Sequence, residues 1–205
     1  MVAPALFVGS FLVQGALRPG YDPLRHPVSS LALGHRAGWV QVATFIVSGI
    51  LVTAYAVALA RSGAGRWAPI LIAAVGVGLV GAGIFPADPI NGYPPGTLVP
   101  APRTPPGRLH DLFSTPVFTA LPAAALVQGS RYAHAGKRGW ARYSRLTAAF
   151  FWAFFVLSSL GFGGVPALVP TGGLWQRLSL VTGLVWLAAT AVACRRYTDP
   201  GGARG

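Results

Sequence analysis

The chain contains no glutamate, one lysine (Lys137), one cysteine and one methionine in 205 residues, and its acids are Asp22, Asp88, Asp111 and Asp199. Each scarcity removes a class of chemistry. A lone Cys194 cannot close an internal disulfide or supply the paired thiols of a quinone-coupled thiol oxidoreductase. A retinal protein needs a lysine inside a helix, whereas Lys137 sits in a basic loop. Paired haem ligation uses histidines at depth, but His26, His35, His110 and His134 fall at helix ends or in loops. There is no H-E-x-x-H and no other compact ligand spacing, and no glycine loop is followed by Lys-Ser/Thr. No metal ion and no cofactor is therefore expected. A metal-dependent lipid hydrolase built on His26, His35, His110 and Asp88 stands as an alternative.

Apolar residues dominate instead: 53% of the chain is hydrophobic and 10% charged. They gather into six stretches, approximately Val2–Leu17, Gly38–Ala60, Trp67–Phe85, Leu109–Gly129, Tyr143–Gly164 and Gly173–Cys194. Most reach the roughly 20 residues that cross a bilayer. The first is short and signal-like, but no small-residue cleavage site follows it, so it reads as a real helix. No polar segment is long enough to fold separately. The expected fold is all-α: a polytopic membrane protein, one domain over residues 1–205, with about six transmembrane helices arranged as three hairpins.

Lys and Arg divide unequally between the two sides. Ten fall in the loops after the second and fourth stretches and in the C-terminal tail; six fall opposite, at Arg18, Arg25, Arg36, Arg103, Arg108 and Arg177. The positive-inside rule then places both termini in the cytoplasm of a multi-pass protein of the bacterial cytoplasmic membrane. A net charge of +12 would suggest nucleic acid in a soluble protein. Here the cations sit at helix ends and in one short loop, so membrane lipids are the expected partner and nucleic acid is not.

The connections on the opposite side are long and hold nearly all the unusual polar residues. Eight prolines fall between Pro86 and Pro106, which prevents a continuous helix and suggests an irregular lid. An echo links the three hairpins. Tyr21-Asp22-Pro23 precedes Gly38-Trp39-Val40-Gln41, Ala87-Asp88-Pro89 precedes Gly107-Arg108-Leu109-His110, and Gly173-Leu174-Trp175-Gln176 opens the last stretch. Gln41, His110 and Gln176 thus occupy equivalent places near the starts of the even-numbered helices and would converge if the hairpins share an axis.

The run Pro27-Val28-Ser29-Ser30-Leu31-Ala32-Leu33-Gly34 before Gly38-Trp39-Val40-Gln41, then Gly83-Ile84-Phe85-Pro86-Ala87-Asp88-Pro89, then Leu109-His110-Asp111, resembles the bacterial domain-of-unknown-function family 998. The resemblance spans almost the whole chain. It implies a compact membrane-helix bundle and directs attention to Ser29, Ser30, Gln41, Asp88 and His110, but implies no activity. By helix count the chain is also similar to small membrane-bound terpene cyclases, which is analogy at the level of fold.

Two readings compete for the polar residues. Asp22 and Asp88 each precede proline, an arrangement that caps a short helix, and Asp111 suits the first turn of a helix by its dipole. Taken together, however, Asp22, Asp88, Asp111, His26, His35, His110, Gln41 and Gln176 map to one side of the membrane. Asp and His transfer protons, and amides orient a polar headgroup. A carboxyl group held against apolar walls can keep a proton and act as an acid. Asp88, which follows the apolar Gly81–Phe85 run, is the preferred general acid; Asp111 and Asp22 are reserves, with His110 and Gln41 orienting.

Phe85, Tyr93, Phe113, Trp152, Phe162 and Trp175 are candidates to line a substrate cavity and stabilise a carbocation through their ring faces. Trp39 and Trp175 equally suit an interfacial belt, and the glycines Gly76, Gly78, Gly81 and Gly83 suit close helix packing. Pro116 and Pro122 would kink the fourth helix below His110. The function expected is an intramembrane enzyme acting on a hydrophobic small molecule, an isoprenoid or other lipid-like substrate, most specifically a terpene cyclase or isomerase. The alternative is a non-catalytic small carrier or assembly partner, although a carrier would place ionisable groups near the bilayer midplane and none is evident. Oligomeric state does not follow from the sequence. Cysteines substituted at Tyr93 and Ala135 in a Cys194→Ser background should label from opposite sides of the membrane; labelling of both from one side would reject the six-crossing topology.

Overall fold

The computed structural model describes residues 2–63 and 65–198, with side chains described as far as Ala193. Asp199, Arg204 and the side chains of Cys194, Arg195 and Arg196 lie outside the described residues. Among the described residues six helices follow one another: α1 (Ala3–Leu17), α2 (Gly38–Arg61), α3 (Trp67–Ile84), α4 (Pro105–His134), α5 (Arg138–Phe162) and α6 (Gly172–Thr198). Short 3₁₀ turns at Val28–Ala32 and Val169–Thr171 interrupt two of the connections. The protein is an all-helical membrane bundle, and no strand is named among the described residues.

Local chemistry sets the helix ends. Phe85 leaves helical geometry ahead of Pro86, as a residue before proline must in order to avoid the pyrrolidine ring. The fourth helix begins at Pro105 rather than near Leu109, because Thr104 caps it by accepting from the Gly107 amide at 3.1 Å. Pro105 and Pro106 then occupy first-turn positions whose amides have no helical partner to lose. The irregular connection is therefore 86–104. The helix runs on through Pro116 and Pro122, with Thr115 Oγ1 donating to the Asp111 carbonyl at 2.9 Å and Thr119 Oγ1 to that of Thr115 at 2.8 Å.

Among the described residues five helices are long and apolar enough to cross a membrane; α1, at 15 residues, is the shorter one. It rises about 22 Å against a hydrocarbon core of about 30 Å, so its ends need polar side chains that reach the interface. Each helix packs on its neighbours in sequence, and α1 also meets α6, closing a ring. Phe7, Phe11, Val52, Val75, Leu121, Phe151 and Leu187 fill the interior. Ile50, Ile70, Val77, Leu112, Phe150, Val156 and Val185 face outward, as lipid requires.

α3 is the stave on which its neighbours close. A Cβ on Gly76 would lie 2.7 Å from the Gly49 carbonyl oxygen, and one on Gly49 would lie 2.5 Å from that of Gly76, so the α2 and α3 backbones touch reciprocally. On another face Gly78 leaves room for the Phe113 carbonyl, and Gly81 for its ring. Such contact gains dispersion where apolar surface alone gives no preference for protein over lipid. Polar pairs add to it: Ser10 Oγ and Thr44 Oγ1 at 2.7 Å and Gln14 Nε2 to Gln41 Oε1 at 2.8 Å join α1 to α2, and Trp186 Nε1 donates to Ser144 Oγ at 3.0 Å between α5 and α6. Gly76→Leu should lower the thermal midpoint of the detergent-solubilised protein by the equivalent of about 1–3 kcal/mol. Gly139→Ala, where a Cβ meets nothing within 4 Å, should leave the midpoint equal or raised.

Candidate functional site

The long connections meet at one end of the ring, where a buried arginine fastens them. Arg177 on α6 donates to the carbonyls of Pro23, His26 and Gly173 and to the Tyr21 hydroxyl. Tyr21 in turn donates to the Pro27 carbonyl at 2.9 Å, and Gln176 Oε1 accepts from the Val28 amide at 2.7 Å. The charge is thus met by carbonyl dipoles. Asp22 makes a local turn, its Oδ1 accepting from the Leu24 amide at 2.8 Å and its carbonyl from His26.

The second connection rests on the first through aromatic rings. His26 lies 5.2 Å from the Tyr93 ring and 5.5 Å from Tyr21, while Tyr21 and Tyr93 meet edge-on at 5.2 Å. Its Nδ1 accepts from the Asp22 amide at 2.9 Å, which requires a neutral ring. Burial is the main cause that pushes His26 below its ordinary value, with Arg25 and Arg177 reinforcing it and the Asn91 backbone and Asp22 opposing. Burial likewise raises the Tyr21 and Tyr93 phenols, Arg177 opposing at Tyr21 and Arg18 at Tyr93.

Asp88 is buried at the start of α4. Its Oδ1 accepts from Thr104 Oγ1 at 2.6 Å and its Oδ2 from the Thr104 amide at 3.0 Å, so it fixes the residue that caps α4, 16 positions away, and starts no helix of its own. Gly107 has no side chain because the carboxylate occupies that space. One turn on, His110 Nδ1 lies 3.0 Å from the Ala82 carbonyl and 2.9 Å from that of Phe85. Facing two carbonyl acceptors, Nδ1 carries a proton. Asp111 pairs with Arg103 at 2.8 Å in an exposed ion pair.

Beside these groups a cavity of about 350 Å³ enters the ring. Its walls are mainly apolar, from Phe7, Phe45, Leu79, Val117, Phe118 and Leu180, and its polar residues include Asp88, Arg103, His110, Asp111, Ser114 and Gln176. The volume falls within the range of small-molecule sites, and the mixture of apolar wall and few polar groups is typical of them.

Of the residues singled out in the sequence, Ser29, Asp88, His110, Asp111, Gln176 and Phe162 line this cavity. Gln41 is fully buried against α1, where it accepts from Gln14, and lies away from the cavity. Asp22 and Tyr93 belong to the loop cluster. Phe85 and Phe113 stack on each other at 5.5 Å, Trp152 is exposed, and Trp175 stacks on Phe154 and donates to Thr171. Neither Phe7 nor Phe118 carried a sequence signal, being one apolar residue among many. Arg103 and Asp111, eight positions apart across a helix start, could be joined only once the cap at Thr104 was known.

A family model described as "Protein of unknown function (DUF998)" matches residues 1–193. No curated protein and no solved structure matches the chain.

The neutral state of His26 gives the loop cluster a pH dependence. With its folded-state value depressed below 6.5, the undocked chain takes up the proton first, and docking weakens as pH falls through that value. Amide exchange in segments 21–28 and 87–93, corrected for intrinsic rate, should be faster at pH 5 than at pH 7.5. His26→Gln should flatten that difference; an unchanged difference would assign it to another group.

Proposed function

The chain belongs to the DUF998 family, whose description carries no activity, and from the cavity we propose an integral-membrane enzyme acting on an isoprenoid or other lipid-like substrate by Asp-mediated acid catalysis. In its most specific form it is a terpene cyclase or isomerase. The observation that carries the proposal is the pairing, in one cavity, of an aromatic and aliphatic interior with a carboxyl group and a histidine. The apolar chain of a substrate lies against Phe45, Phe118 and Phe162, and its reactive double bond or epoxide meets the polar groups.

Asp88 is the acid. Thr104 takes up one acceptor site on each carboxyl oxygen, which holds the group in place and leaves the remaining lone pairs to carry the proton that is transferred. Protonation of the substrate forms a carbocation that the aromatic faces stabilise. Loss of a proton to His110 Nε2 ends the sequence with no net change in mass, and exchange with water at the cavity mouth returns a proton to Asp88. The Arg103–Asp111 pair orients the polar end of the substrate. The excess of Lys and Arg at the short-turn end and in the C-terminal tail supports an orientation with the long-loop end outside the bacterial cytoplasmic membrane and both termini in the cytoplasm.

Purified protein incubated with candidate isoprenoids, epoxides included, should yield a product of unchanged mass and altered retention. Asp88→Asn should keep substrate binding and lose turnover by about 10²–10⁴-fold, the usual scale of general acid catalysis. Full turnover in a folded Asp88→Asn protein would remove Asp88 from the mechanism. Ligand binding without turnover of any isoprenoid would instead support a carrier or assembly partner.

A further inference from the structure

The opposite end of the bundle carries a second polar site with different chemistry. Arg61 and Arg66 flank the α2–α3 turn, and Arg131, Lys137, Arg138 and Arg142 flank the α4–α5 turn. None of the described acids is near them, since Asp22, Asp88 and Asp111 all belong to the long-loop end and the chain has no glutamate. Between the cations an open bowl of about 530 Å³ is lined by Gln128, Arg131, Tyr132, His134, Ala135 and Lys137.

The bowl is built rather than incidental. Arg131 Nη2 donates to the Gly63 carbonyl at 3.1 Å, and its guanidinium occupies the space a side chain on Gly65 would need, so the α2–α3 turn holds it in place. His134 Nδ1 faces the Ser130 carbonyl at 2.7 Å, which fixes the ring. Gln128 is more than nine-tenths buried, yet its Oε1 has no hydrogen-bond partner. A buried acceptor without a donor is costly, and one lining a cationic bowl is poised for a ligand that brings both negative charge and a hydroxyl. Depth is set by aromatics: Tyr132 meets Trp140 at 5.7 Å, Trp140 meets Tyr143 at 5.9 Å, and Arg66 lies 4.6 Å over Trp67, as at a membrane–water boundary.

We infer that this bowl binds the headgroup of an anionic, hydroxyl-bearing phospholipid, with its phosphate on Arg131 and Lys137 and a headgroup hydroxyl donating to Gln128. The exposed Leu126 and Leu146, on the two helices that carry the bowl, receive its acyl chains. The inference is independent of the cavity at the other end.

Thermal unfolding of the purified protein in neutral detergent tests it by titration with phosphatidylglycerol, phosphatidylcholine or sn-glycerol phosphate. Phosphatidylglycerol should raise the midpoint saturably, and the other two should not. Each cation near an anionic headgroup contributes roughly fivefold in affinity, so Lys137→Gln should weaken the effect about fivefold and Arg131→Gln/Lys137→Gln about 25-fold. Arg36→Gln, at the long-loop end, should leave it unchanged. An equal shift with phosphatidylcholine would overturn the inference, as would one that persists in Lys137→Gln and the double variant. A shift with glycerol phosphate alone would replace the lipid with a soluble anion.

Discussion

Backbone contact between α2, α3 and α4 is the constraint on which the rest of the bundle depends. Within lipid, apolar side chains gain nothing by leaving the acyl chains for one another, so helices associate through close fit and through polar pairs that have no water to turn to. Gly49 against Gly76, and Gly78 and Gly81 against Phe113, supply that fit. With these three helices drawn together, the end of α3 and the start of α4 are fixed relative to each other, and His110 comes within reach of the Ala82 and Phe85 carbonyls.

The long connections follow a related rule. A buried guanidinium needs compensation, and with so few carboxylates the chain supplies carbonyl oxygens instead, from Pro23, His26 and Gly173 around Arg177. This clamp ties the first connection to α6, while neutral His26 lies between Tyr21 and Tyr93 and carries the second connection onto the first. Loops rich in proline and glycine are thereby held by side chains distant in sequence.

The two ends of the molecule differ in electrostatic character because Asp22, Asp88 and Asp111 all lie at one of them, while cations lie at both. At the long-loop end Asp111 is paired with Arg103, and Asp88 is bound by Thr104, beside a cavity of mixed polarity. At the other end Arg61, Arg66, Arg131 and Arg138 gather around the two short turns, with Asp22, Asp88 and Asp111 all at the opposite end.

Hydrophobic runs determined the helical membrane fold by themselves, because a span of apolar residues in lipid has no alternative to satisfying its backbone internally. They also located the six helices, to within two residues at most ends. α4 starts four residues earlier, since a Thr-Pro-Pro-Gly cap reads as loop until its hydrogen bonds are seen, and α4, α5 and α6 extend four or five residues into the polar segments 130–134, 138–142 and 195–198, which carry no apolar signal. The clustering of Asp88, His110 and Asp111 was legible too, as they flank one connection in sequence. Tertiary structure alone decided that Gln176 reaches the cavity while Gln41 turns to Gln14, and that Phe7, Phe45 and Phe118 form its walls. The reason is rotational. A helix apolar on every face carries no periodicity to say which side points inward, and that orientation is set by where its glycines and polar partners meet the neighbouring helices.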